Sequence, residues 1–201
     1  MRVLIGCEES GVVRDAFIKA GHDAVSCDLQ PTRSKAPGRH LMYDIKEAIR
    51  SDIWDVIILH PDCTALSLSG NRWYGKGMPR NDERINAINW TIDLWSLAKQ
   101  SSLVGCALEN PTSVIWQYIG QPQYIHPHQF GHGEVKKTGI ITHRLPPLQP
   151  TNIVEGREAK IWKMPPSPTR KRDRAVTYQG IADAMAEQWG KEATISKEKA
   201  I

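Results

Sequence analysis

Apolar residues in this chain follow two rhythms that alternate from the amino terminus. Short unbroken runs occur at Val3-Leu4-Ile5, Ala24 to Cys27, Val56-Ile57-Ile58-Leu59 and Leu103 to Leu108. Such runs read as strands covered on both faces, as in a parallel sheet. Helical spacings lie between them. Val13, Phe17 and Ala20 share one face of a helix that Ser10 can cap and Gly21 can end. Leu41-Met42-Tyr43-Asp44-Ile45 gives a short strand and Ile45 to Arg50 a short helix, while Glu83 to Lys99 puts Ile85, Ile88, Ile92 and Trp95 on one buried stripe. A short helix is expected over 112–118 and another strand after Lys136-Lys137. A last helix opens at Tyr178-Gln179-Gly180 and lines one face with Ile181, Ala184, Met185 and Trp189. The alternation predicts an α/β fold, a mostly parallel central sheet with helices on both faces.

In such sheets the ligand crevice lies at the carboxyl ends of the strands. Two strands end there in proline-containing turns that carry a reactive group, His60-Pro61-Asp62-Cys63 and Glu109-Asn110-Pro111. Cys63 is the candidate nucleophile, weighed against a small buried thiol. The first turn, Gly6-Cys7-Glu8-Glu9-Ser10-Gly11, has neither the dinucleotide fingerprint nor the lysine of a P-loop. Glu8 and Glu9 would repel a pyrophosphate, so a phosphate-free ligand such as S-adenosylmethionine suits this turn better than NAD or ATP. Asp28, at the end of the second strand, is placed for ribose hydroxyls or is a simple turn acid.

Residues 64–81 read as a mobile loop. Within it, Arg72, Trp73 and Lys76 between glycines could close over a base and touch phosphate, or could form a plain surface loop with a half-buried Trp. His126, His128 and His132 alternate like metal ligands, but Pro127 intervenes and no carboxylate pair is near, so no metal is expected. The proline-rich stretch 145–173 ends in a basic knot, Arg170-Lys171-Arg172 with Arg174, which reads as a nucleic-acid contact or as a solvated loop.

A chain of 201 residues with 40% hydrophobic and 24% charged positions is long enough for a proper core. We expect one domain over 1–190, with 145–174 as a reduced insertion and 191–201 as a flexible tail. The net charge of +4 permits a phosphate partner without demanding one. Four widely spaced cysteines form no C-x-x-C pair, which argues against zinc and disulfides. No apolar stretch reaches membrane length, and Met1-Arg2 runs straight into a strand. A cytoplasmic location without membrane contact is the expectation.

The order Gly-containing turn, Asp28, Asp44, Pro-Asp-Cys63, Glu109-Asn110, basic strand and Tyr-Gln-Gly helix resembles the DNA cytosine-5 methyltransferases, most closely the short phage and prophage forms. The likeness covers nearly the whole chain to about Gly190. It implies a Rossmann-like S-adenosylmethionine-dependent methyltransferase fold, with Gly6, Glu8, Gly11 and Pro61 around the methionine end of the cofactor, Asp28 on its ribose and Asp44 on its adenine. By the same resemblance, Cys63 is the nucleophile, Glu109 the acid facing the pyrimidine and Asn110 its positioning neighbour. Lys137-Thr138 and His143-Arg144 loosely echo the family's basic strand, which makes Arg144 a catalytic candidate. Gln179 and Gly180 would complete the cofactor pocket. Arg72, Trp73, Lys76, Arg170, Lys171 and Arg172 would contact DNA, single- or double-stranded. The chain departs from the family in two ways. Asp62 replaces the proline before the cysteine, where it disfavours a thiolate unless Arg72 or another cation compensates. The large target-recognition domain is also missing, so specificity is low, comes from a partner protein or another copy, or the substrate is not duplex DNA. Two alternatives therefore stand beside the methyltransferase: an inactive relative that binds cofactor or nucleic acid, and an enzyme modifying a free pyrimidine nucleotide.

Overall fold

The computed structural model describes residues 1–198. Strand β1 (Arg2–Gly6) turns into α1 (Val12–Lys19), followed by β2 (Asp23–Cys27), β3 (Arg39–Leu41), α2 (Ile45–Arg50) and β4 (Trp54–Leu59). A 3-10 turn at Leu68–Gly70 and α3 (Asn71–Tyr74) precede the long α4 (Asn81–Ser101). Then come β5 (Ser102–Pro111), α5 (Trp116–Ile119), β6 (Gln123–Ile125) and β7 (Thr138–His143). Two short helices, α6 (Lys160–Lys163) and α7 (Arg170–Ala175), lead to α8 (Gln179–Glu198). The strands form one sheet in the order β3-β2-β1-β4-β5-β7-β6. Strands β1 to β5 are mutually parallel, and β7 runs antiparallel to both its neighbours.

Side chains alternate across this sheet, and each face is covered by helices, which is why the strands read as unbroken apolar runs. Val3, Ile5, Val56 and Ile58 pack with Val13 and Phe17 of α1 and with Ile181, Met185 and Trp189 of α8. Leu4, Ile57 and Leu59 point the other way, into a second cluster with Ile45 and Ile49 of α2 and Leu94, Trp95 and Ala98 of α4. Every residue of β4 is buried. Among the described residues no helix is long and apolar enough to cross a membrane.

Several elements differ from their sequence expectation. Strand β3 occupies Arg39–Leu41, and Met42 and Tyr43, placed in the strand by pattern, are exposed. In α4 the buried stripe is Arg84, Ile88, Thr91, Leu94, Trp95 and Ala98, while Ile85 is 48% exposed. A charged residue takes the core-facing place because its guanidinium has three partners. Arg84 donates to the carbonyls of Ala65 (2.6 Å) and Ser67 (3.0 Å) and to Asn71 Oδ1 (2.7 Å). Those bonds give 64–74 a fixed 3-10 and helical course instead of an open loop. Strand β5 does not stop at Leu108, because β7 pairs Ile140, Gly139 and Thr138 with Glu109, Asn110 and Pro111. Helix α8 continues past Gly190 to Glu198. The tail expected over 191–201 thus begins as helix and ends outside the described residues.

Candidate active site

Strands β4 and β5 run side by side with Leu59 opposite Leu108, so the segments after these two residues emerge at one sheet edge. Beyond Leu59 the chain is held on both sides. The His60 amide donates to the Gly6 carbonyl (2.9 Å), and Asn110 Nδ2 donates to the Pro61 carbonyl (3.0 Å). Asn110 is 1% exposed, so this bond fixes the turn that carries Cys63 against β5. Glu109 Oε2 lies 3.5 Å from His60 Nδ1. The other ring nitrogen, Nε2, is buried without a hydrogen-bond partner among the described residues.

Cys63 is half-buried. Burial pushes its thiol up, Glu109 and then Asp62 add to that push, and Lys136 opposes it. The Lys136 ammonium is itself lowered by burial, with Glu109 and Cys63 acting in the other direction and Arg174 adding to the fall. A thiol, a carboxyl and an ammonium thus bear on one another at adjacent strand tips. Lys136 does not stand out in the sequence as a site residue. Its signal, a lysine just before an apolar strand, becomes legible only when that strand is known to run antiparallel.

The same reversal removes Arg144. Thr138 faces Pro111 at the crevice edge, whereas His143 faces Cys106 in the middle of β5. Arg144 therefore sits roughly 13 Å along the strands from Glu109, where its guanidinium binds the carbonyls of Ser102 and Leu103 at the start of β5. It is a structural clamp on the opposite edge.

Asp62 has bonding partners other than the thiol. Its Oδ1 accepts from the amide (2.9 Å) and hydroxyl (2.6 Å) of Thr64, and its Oδ2 pairs with Lys171 Nζ at 2.9 Å. Burial acts to raise this carboxyl, but Thr64 and Lys171 outweigh it and hold the group below its ordinary range. Lys171 is the cation paired with this carboxylate, while Lys136 is the one that acts on the thiol. Arg72 instead lies over the ring of Trp73, 5.6 Å from its centroid, and Trp73 is 53% exposed. Arg72, Trp73 and Lys76 all face solvent.

The β1–α1 turn departs from expectation at Glu8. Its carboxylate is buried and accepts from the amides of Val13 (2.7 Å) and Arg14 (3.3 Å). The first amides of a helix lack intrahelical acceptors, and an anion there also complements the helix dipole. Glu8 is the cap of α1, not a free ligand group. Gly11 needs its glycine, with φ 76° and a Cβ position crowded by Ser34. Gly6 is packed against Ile45 and Leu59. Asp44 caps α2 by accepting from the Lys46 amide at 2.7 Å, and Asp28 Oδ1 accepts from the Gln30 amide at 2.9 Å. Burial pushes the Cys7 thiol up, and Asp28, Cys27, Asp44 and Asp62 add to it, so three carboxylates surround this turn. Such carboxylates repel phosphates and can accept hydrogen bonds from hydroxyl groups.

Gln179 donates to Asp183 on its own helix (2.9 Å), and the Gly180 amide donates to His132 Nε2 (3.1 Å). Any side chain on Gly180 would overlap the Phe130 carbonyl. These residues dock the start of α8 on the 130–132 segment. His126 and His128 stack with ring centroids 5.3 Å apart. Among the described residues no three His, Cys, Asp or Glu side chains converge as metal ligands.

The basic knot forms α7 and crosses the crevice edge. Lys171 reaches Asp62 after β4, and Arg172 reaches Glu9 after β1 (2.8 Å). Arg33, after β2, joins Glu9 (3.0 Å) to Asp173 (3.0 Å). Arg170 donates to the Met164 carbonyl at 2.8 Å. These cations are engaged with the protein's own carboxylates and backbone, which sequence alone left as a free basic surface.

No protein-family model and no curated protein matches the sequence. Among solved structures it is similar to the Entamoeba histolytica methyltransferase EhMeth, with TM-score 0.50 and 13% identity over 79% of this chain and 57% of that one. The Dnmt2 methyltransferase of S. pombe gives TM-score 0.48 and 12% identity, over 81% and 54%. This chain spans a little over half the length of those two. The likeness to the first is one of fold, a Rossmann-like, mostly parallel sheet with helices on both faces.

Proposed function

We propose that this protein transfers a methyl group from S-adenosylmethionine to C5 of cytosine in DNA through a covalent adduct at Cys63. The observation that carries the reading is the convergence of Cys63, Glu109 and Lys136 at the tips of β4, β5 and β7, beside the acid-rimmed β1–α1 turn. C5 of cytosine is a poor nucleophile. Addition of the Cys63 thiolate to C6 converts the ring to an enamine, and a proton held by Glu109 at N3 offsets the charge that develops there. The cofactor supplies an electrophilic methyl group. Once C5 has taken it, loss of the C5 proton to solvent and cleavage of the S–C6 bond return the ring and the thiolate. Lys136 supports the thiolate against burial and the two neighbouring acids. Asn110 positions the turn, and Asp28 and the free oxygen of Asp44 suit the ribose and adenine ends of the ligand. Transfer of tritium from labelled S-adenosylmethionine to cytosine-containing DNA tests the reading. Cys63→Ala and Glu109→Gln should abolish it, and label in Cys63→Ala product would overturn it.

A second substrate, a free pyrimidine nucleotide, is favoured by one feature. Helix α7 lies across the crevice edge, and residues 145–175 supply only α6 and α7 for reading base edges in a groove. The same assay with dCMP in place of DNA separates the two.

A further inference from the structure

Within the basic run of α7, three cations are accounted for by Met164, Asp62 and Glu9. Arg174 is not. Among the described residues its guanidinium makes no ion pair or hydrogen bond, and its Nε is buried. It lies in the last turn of α7, two residues before Val176, whose carbonyl accepts from Lys136 Nζ at 3.1 Å. The Lys136 ammonium also stands 5.8 Å from the ring centroid of Tyr178. Lys136 is thus tied to the segment just after Arg174, near enough for the two charges to act on each other, and Glu109 is the acid that acts on Lys136. Like charges kept together in a half-buried place cost free energy that an anion between them removes.

We propose that Lys136 and Arg174 form an anion subsite that takes the 5′-phosphate of the pyrimidine nucleotide presented to Cys63. The inference rests on the function proposed above and names how its substrate is held. The chemistry of the nucleotide supports it. In the anti conformation the C6 edge of a pyrimidine faces the 5′-phosphate, so a thiol that adds to C6 has that phosphate on its own side of the ring. A guanidinium can bind two phosphate oxygens at once, and an ammonium adds a point charge. The phosphate belongs either to a free nucleotide or to a strand, and the recognition chemistry is the same.

Calorimetric titration at low ionic strength with dCMP, deoxycytidine and a short cytosine-containing single strand tests this in the intact protein. The expected result is that dCMP or the strand binds about tenfold or more tightly than deoxycytidine. Arg174→Ala and Arg174→Gln should lose that preference, Arg174→Lys should keep part of it, and inorganic phosphate should compete in the unaltered protein. A preference seen with dCMP assigns the phosphate to a free nucleotide; one seen with the strand alone assigns it to a polymer. Equal binding of all three ligands, or a preference unchanged in both Arg174 variants, overturns the subsite. Cys63→Ser separates the two ideas, since it should keep the phosphate preference while losing methyl transfer. Phosphate preference without any methyl transfer in the unaltered protein would sink the chemistry and leave the subsite standing.

Discussion

Lys136 and Asp62 act on the Cys63 thiol from opposite sides, and their removal should have opposite effects. Burial is the largest influence on that thiol, and it is raised further by Glu109 and Asp62. Lys136→Met removes the opposing charge, so the rate of alkylation by iodoacetamide should move to higher pH and slow severalfold near pH 8. Asp62→Asn should move the profile the other way. Its effect should be the smaller one, because Thr64 and Lys171 already draw that carboxylate away. Superposable profiles for both variants would remove Lys136 from the account. At this scale Cys63 and Glu109 were legible, since each follows an apolar run at a strand tip. Lys136 and Arg144 were not, because a strand's pattern does not state its direction. Glu8 misled for another reason: an acid in a ligand-binding turn and an acid capping the next helix have the same sequence signature.

Elements owe their placement here to a few polar bonds that periodicity does not display. The 3.6-residue pattern located α4 but set Ile85 inward, whereas Arg84 is buried because 64–71 offers it two carbonyls and an amide oxygen. Arg84→Ala should therefore cost about 3 kcal/mol in chemical denaturation, since it leaves two part-buried carbonyls and the Asn71 amide oxygen without their donor. It should also speed tryptic cleavage after Arg72 and Lys76. Unchanged cleavage would mean that 64–74 holds its course without Arg84. At the start of α8 the contact is steric. Gly180→Ala should destabilise by roughly 1–3 kcal/mol, because the Phe130 backbone cannot move aside as a side chain would. A melting temperature equal to that of the unaltered protein would contradict that packing. The parallel strands β1, β2 and β4 were readable to within a residue or two because burial on both faces leaves no polar alternation. The extension of β5 through Pro111 was not, because it depends on β7 arriving from thirty residues further on.

Across the whole molecule, α7 ties the turns after β1, β2 and β4 together through ion pairs with exposed cations, individually weak and screened by salt. Amide exchange over 160–176 should accelerate as salt is raised, while exchange in β4 stays slow. The folded-state pKa of Asp62 is depressed, so its link to Lys171 is fully present above about pH 4. The link is lost as the pH falls through the lowered value. Salt-insensitive exchange over 160–176 would mean that α7 is held by packing. The protein is incubated with S-adenosylmethionine and either DNA or a deoxycytidine nucleotide containing 5-fluorocytosine, whose C5 cannot lose a proton, and its intact mass and peptide map are then measured. The account predicts a stable adduct carrying one methyl group on the peptide that contains Cys63, absent in Cys63→Ala. An unmodified mass with both substrates, or an adduct on another residue, would contradict it.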